Sequence, residues 1–145
     1  MVRVLATGVF DILHSGHLHY LREARAMGDE LLVVVACDDT VRRRKHEPIT
    51  SEAMRAELVG AMKPVDRAMV GERGDPYRIV LELRPDIIAL GYDQDFDEKS
   101  LERDLRERGL EVEVKRVSEC SEDLTGTRKI VQKIIENYQR EEGSA

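Results

Sequence analysis

Two imidazoles bracket a Ser-Gly pair at His14, Ser15, Gly16 and His17, directly after the segment TGVFDIL. These residue types suit an anion. A helix opening at Gly16 presents backbone N–H groups and the positive end of its dipole. Gly16 admits close approach to the backbone, and each imidazole adds an N–H donor. Such donors stabilise a phosphate on which negative charge develops during a reaction. The chain contains neither GxGxxG nor GxxxxGK[ST], so the dinucleotide fingerprint and the P-loop are excluded as the means of holding that phosphate. A zinc reading uses Asp11, His14, His17 and His19. Zinc asks for three or four convergent ligands, and His19, two residues past His17, leaves the shared helix face. No residue is therefore assigned to a metal.

The elements that must position this stretch alternate along the chain. Residues 2–6 form a short apolar strand, and from Gly16 the period becomes helical through Leu18, Leu21, Ala24 and Met27, with Gly28 as the stop. The run LLVVVA (31–36) is a strand buried on both faces. A polar, basic loop over 37–50 follows, with Arg42, Arg43, Arg44 and Lys45 inside it. Thr50 or Ser51 caps a helix carrying Met54, Leu58 and Ala61. Residues 66–70 make a short strand, Asp75-Pro76 starts a helix that ends before Pro85, and 86–91 is another buried strand. Asp97 caps a helix that Gly109 ends, residues 111–117 alternate as a half-exposed strand, and Thr127 caps a last helix bearing Ile130, Val131, Ile134, Ile135 and Tyr138 on one face.

Strand and helix alternate five times, which predicts one α/β domain over residues 1–145 with a parallel sheet and helices on both faces. A Rossmann-like doubly wound five-stranded sheet of order 3-2-1-4-5 is the leading topology, and the flavodoxin-like 2-1-3-4-5 is the alternative. Ligands bind beyond the carboxyl ends of the strands at the topological switch. In the first order, TGVFDILHSGH after strand 1 meets GYDQDFD after strand 4.

Composition bounds the rest. The chain has 145 residues, 41% hydrophobic and 36% charged, a globular balance rather than a disordered one. The net charge of −6 argues against general nucleic-acid binding. No run approaches the ~20 apolar residues of a membrane span, and MVRVLATG does not read as a signal peptide. The two cysteines, Cys37 and Cys120, form no CxxC pair, which suits a reducing cytoplasm. Cys37 ends a buried strand and reads as core or pocket wall; Cys120 lies in a polar loop near the last helix.

GVFD at 8–11, HSGH at 14–17 and TRKI at 127–130 resemble the motifs of the small nucleotidyltransferases of the cytidylyltransferase type, relatives of the class I aminoacyl-tRNA synthetase catalytic domain. The resemblance covers essentially the whole chain. Within that family GVFDILHSGH, GDELLVVVACDDTV, KPVDRAMVG and RPDIIALGYDQDFDE are most similar to archaeal FAD synthases, with glycerol-3-phosphate cytidylyltransferase a more distant likeness. The activity this implies is transfer of AMP from ATP to FMN, giving FAD and pyrophosphate, with Mg²⁺ or another divalent metal. The alternatives are CTP:glycerol-3-phosphate cytidylyltransferase and a catalytically silent nucleotide-binding protein. A flavodoxin-like receiver or electron carrier would leave the two histidines unexplained. A homodimer is in keeping with the family.

Roles carry over by position. His14 and His17 resemble the family pair that contacts the triphosphate, in a nucleotide-binding turn that includes Ser15 and Gly16. Val9 and Phe10 would present backbone to the nucleotide; the family's usual Thr is missing at position 9. Lys45 matches a mobile lysine that reaches the phosphates, with Arg44 beside it either a second contact or a solvated helix end. Asp93 corresponds to a ribose or base contact, with Tyr92 shaping the pocket on the acceptor side. Asp11 either contacts the acceptor or caps its loop. Arg55 either meets the acceptor phosphate or is a surface arginine. Thr127 and Arg128 open the last helix against phosphate, with Gly126 where the family has a second hydroxyl.

Overall fold

A computed structural model describes residues 1–44, 46–121 and 126–143, the last three of these as backbone only. The elements run β1 (Arg3–Gly8), α1 (Ser15–Ala26), β2 (Glu30–Val35), α2 (Asp38–Arg44), α3 (Glu52–Gly60), β3 (Arg67–Val70), α4 (Tyr77–Leu83), β4 (Ile87–Leu90), α5 (Glu98–Glu107), β5 (Glu113–Arg116) and α6 (Thr127–Gly143). The five strands are all parallel and lie in the order β3-β2-β1-β4-β5. The flavodoxin-like order is thereby excluded.

The central strands are continuously apolar because both faces are covered. Val4, Ala6, Leu31, Val33, Ile87 and Ala89 pack with Leu21 and Ala24 of α1 and Val59 of α3. Leu5, Leu32, Val34, Ile88 and Leu90 pack on the other face with Val80 of α4 and Leu105 of α5. Gly28, expected as a helix stop, has a tighter reason to be glycine: a Cβ there would lie 2.7 Å from Val4 Cγ2 and 2.8 Å from the Val2 carbonyl. Gly109 does take the left-handed φ of +91° that ends a helix.

The structure departs from the sequence reading in three places. Thr127, expected to cap the last helix, is the first residue of α6, and its hydroxyl donates to the Asp11 carbonyl. The expected loop over 37–50 contains α2, whose first turn holds Asp38 and Asp39 and whose last turn holds Arg42, Arg43 and Arg44. That charge order complements the helix dipole; an Arg43–Asp39 pair at i,i+4 and buried Val41 add to it. In α3, Ser51 is the cap, accepting from the Met54 N–H, but Met54 and Leu58 are exposed. The buried face carries Arg55 and Val59 instead, because the core side of the helix is shifted by one residue to admit an arginine.

Strands β1 and β2 pair to Gly8↔Val35, whereas β1 and β4 pair only to Ala6↔Ala89. Past that point β1 and β4 part, and side chains fill the gap. The Tyr20 hydroxyl of α1 donates to the Ala89 carbonyl (2.6 Å) and accepts from the Thr7 N–H (3.1 Å). Gln94 donates to the Thr7 carbonyl (3.0 Å) and accepts from the Gly91 N–H (2.7 Å). The ladder's lost bonds are thus replaced while the crevice stays open.

Candidate active site

A cleft of about 780 Å³ lies at this crevice. Its walls come from the β1–α1 loop, the start of α1, the end of α2, the loop after β4, the loop after β5 and the start of α6.

The two histidines owe their orientation to the helix they open. His14 is the N-cap of α1, with extended backbone (φ −146°), and its Nδ1 accepts the Gly16 N–H at 3.0 Å. His17 sits three residues on, and its Nδ1 accepts the His14 N–H at 3.2 Å. The H-x-G-H spacing is therefore a capping box built from imidazoles in place of the usual Ser/Thr and Glu/Gln. A neutral imidazole that accepts at Nδ1 must carry its proton on Nε2. Both rings are fixed in the Nε2–H form, stacked with centroids 3.8 Å apart, and both line the cleft. Burial holds His14 below its ordinary pKa of 6.5, so it is a neutral donor at pH 7.

The loop that delivers them is conformationally costly. Phe10 (φ 58°) and Ile12 (φ 53°) are both left-handed, and a β-branched residue in that region is rare. Contacts from three distant segments hold the loop. The Asp11 carboxylate accepts from the Ile49 N–H (2.7 Å), the Thr50 N–H (3.0 Å) and the Thr50 hydroxyl (2.6 Å). Burial alone would raise the Asp11 carboxyl, but the Thr50 and Ile49 hydrogen bonds, with Arg55 nearby, hold it below its ordinary value. The Thr127 hydroxyl donates to the Asp11 carbonyl. Arg55 donates to the carbonyls of Val9 (2.9 Å), Ala36 (2.7 Å) and Thr50 (3.1 Å) and pairs with Asp38 (2.5 Å).

These contacts correct two sequence expectations. Arg55 is only 1% exposed and does not line the cleft, so the structure does not bring it to an acceptor phosphate. It is neither the ligand contact nor the surface arginine of the sequence reading; its guanidinium ties three loops together. Asp11 touches the cleft, but its carboxylate is engaged with the 49–50 segment, the loop-capping alternative. Val9, Phe10, His14, Gly16, His17, Tyr92, Asp93, Thr127 and Arg128 are gathered around the cleft, while Ser15 opens α1 as an exposed residue outside its lining. Lys45 lies outside the described residues; its neighbours Arg44 and His46 line the cleft. Cys37 is buried and Cys120 lines the cleft, both as free thiols.

Sequence reasoning missed Tyr20, Gln94, His46, Glu119 and Lys129, which also line the cleft. Tyr20 had a signal, being three residues past His17 on the same helix face. Gln94 had none, because its partners are backbone groups.

The donor set also bears on a metal. Among the described residues no three of His, Cys, Asp and Glu converge as a cage. His19 is turned to the Ser118 carbonyl (2.9 Å) and Glu23 (3.3 Å). Asp93 and Glu119 are the other carboxylates on the cleft wall. Such a wall fits a hard ion that brings most of its oxygen ligands on a polyphosphate and as water.

The family model described as Cytidylyltransferase-like matches residues 5–145. A curated protein of Aciduliprofundum boonei named FAD synthase is 58% identical over 94% of this chain and 92% of its own length. One from Archaeoglobus profundus, also named FAD synthase, is 50% identical over 94% of this chain and 88% of its own. A crystal structure described as the lipopolysaccharide core biosynthesis protein from Thermoplasma volcanium superimposes with a TM-score of 0.82 at 50% identity, covering 83% of this chain and 99% of that one.

Proposed function

The chain belongs to the cytidylyltransferase-like family, and from that premise we propose that it is an FMN adenylyltransferase, an FAD synthase joining ATP and FMN. The observation that carries the chemistry is the pair of imidazoles locked as Nε2–H donors at the start of α1, in the cleft shared with the start of α6.

The reaction asks for positioning and charge stabilisation. An oxygen of the FMN phosphate attacks the α-phosphorus of ATP; that O–P bond forms as the bond from the α-phosphorus to the bridging oxygen breaks, and pyrophosphate leaves with the electron pair. The attacking phosphate is already ionised, so no general base is required. His14 and His17 donate to phosphate oxygens where charge builds, and the N–H groups at the start of α1 add a fixed positive potential. Arg128 and Lys129, at the start of α6, supply countercharge to the same cleft, and Lys45 is assigned a contact to the triphosphate. The backbone of Val9 and Phe10 meets the nucleotide, Asp93 contacts its ribose or base, and Tyr92 shapes the pocket where that nucleoside borders the acceptor. Mg²⁺ or another divalent ion, bound with the triphosphate, supplies neutralisation of its charge.

The proposed setting is the cytoplasm, where Cys37 and Cys120 remain thiols. No helix among the described residues is long and apolar enough to cross a membrane. A homodimer is part of the proposal: Ile134, Ile135 and Tyr138 of α6 expose large apolar surface.

The test is to supply Mg²⁺, ATP and FMN to the purified protein and follow FAD by chromatography, with CTP and glycerol 3-phosphate in parallel. FAD in the first reaction alone is the expected result. Product only in the second moves the acceptor and the base while keeping the site, and nucleotide binding without product in either marks a silent member.

A further inference from the structure

The cleft is chemically polarised. The imidazoles and the starts of α1 and α6 present donors and positive potential, whereas the loop after β4 presents the half-exposed Tyr92 ring and the Asp93 carboxylate. A carboxylate repels phosphate. A flat ring and an acceptor oxygen suit a nucleoside, with its π-face, hydroxyls and exocyclic amine. On the nucleotidyl-transfer reading above, this loop therefore faces the nucleoside.

One side chain outside the cleft holds the loop in shape. Arg116, the last residue of β5, donates through one terminal nitrogen to the carbonyls of Gly91 (3.0 Å), Tyr92 (3.2 Å) and Gln94 (2.8 Å). Its other terminal nitrogen reaches the Phe96 carbonyl (2.5 Å) and Glu98 (2.6 Å), and its Nε also meets Glu98 (3.1 Å). The guanidinium thus takes four carbonyls from the seven-residue loop between β4 and α5. The loop's own backbone contributes two hydrogen bonds, Gln94 N–H to Gly91 and Phe96 N–H to Gln94. Gln94 pins the opposite side to β1.

We propose that Arg116 is the positioning residue that shapes the β4 loop for nucleoside recognition and so sets the preference for adenosine over cytidine. The planar fork meets Gly91, Tyr92 and Gln94 through one terminal nitrogen and Phe96 and Glu98 through the other; a lysine, with all its donors on one nitrogen, can serve one of these two groups but not both. Arg116 touches no phosphate in this scheme, so its effect belongs to selectivity.

The experiment compares wild type with Arg116→Lys and Arg116→Gln, measuring Kd for ATP, CTP and inorganic triphosphate by calorimetry, and kcat and KM for ATP. The expected result is an ATP-over-CTP preference reduced by about tenfold or more, worth ~1.4 kcal/mol. Triphosphate binding should be unchanged, and KM should rise with little change in kcat. Glu98→Gln, which removes the charge orienting the guanidinium without removing it, should shift selectivity in the same direction by less, and it serves if the arginine variants do not fold. Unchanged selectivity, or equal weakening of ATP, CTP and triphosphate, overturns the proposal. Failure of the wild-type chain to bind ATP would instead remove the nucleotide reading on which this rests.

Discussion

At the residue scale the site turns on which nitrogen of each histidine carries the proton. His17→Ala removes a donor and a cap together. Turnover should fall about 10²–10³-fold, and stability by about 1 kcal/mol from the lost cap. Steady-state rates and a denaturant titration read the two effects separately, and undiminished turnover in the folded variant would take His17 out of the mechanism. The pH dependence follows from His14. Its folded pKa lies below 6.5, so the unfolded chain binds more protons as pH falls. The stability it contributes is full above about 6.5 and is lost as pH drops through the folded value. A melting-temperature profile should therefore decline on the acid side, and His14→Asn, which keeps a capping oxygen and does not titrate, should flatten that part of the curve.

At the element scale, a loop with two left-handed residues persists because its partners over-determine it. Asp11→Asn places an amide NH₂ against donors at Ile49 and Thr50. It should cost about 1–3 kcal/mol in urea unfolding and lower turnover, whereas a free acceptor contact would raise the KM for FMN with little loss of stability. What was legible in the sequence at this scale was whatever side-chain periodicity encodes. The cap at Asp97 and the buried strands were legible, and the cap of α3 was narrowed to Thr50 or Ser51, of which the structure uses Ser51. The helix α2 and the buried side of α3 were not, because an arginine in the core register looks like a surface residue until its partners are known. Those partners are carbonyls of Val9, Ala36 and Thr50, which no residue letter announces.

At the scale of the whole molecule, the sheet order was within reach because alternation restricts the connections and leaves few topologies. The order in turn brought the two polar loops after β1 and β4 together, which is why the histidines, Tyr92 and Asp93 were legible as one site. Gln94 and Arg116 were not, since their partners are backbone groups: Gln94 fills the gap where β1 and β4 part, and Arg116 gathers carbonyls of the loop after β4. The exposed apolar residues of α6 make a prediction here. Wild type should sediment with the mass of two chains, and Ile134→Glu with Tyr138→Glu should sediment as one; a single-chain mass for wild type would dispose of the dimer.

The hydrogen bond from Thr127 to the Asp11 carbonyl joins residues 116 positions apart, and this bears on when the enzyme comes into being. The histidines, β1, β2 and the loop at 49–50 all precede α6 in the chain and can meet before α6 is synthesised. The hydroxyl that completes the hold on the loop arrives with the last helix. Closing so long a loop is slow relative to local pairing. The loop that carries the histidines is thus held first by its near partners, Ile49, Thr50 and Arg55, and last by α6.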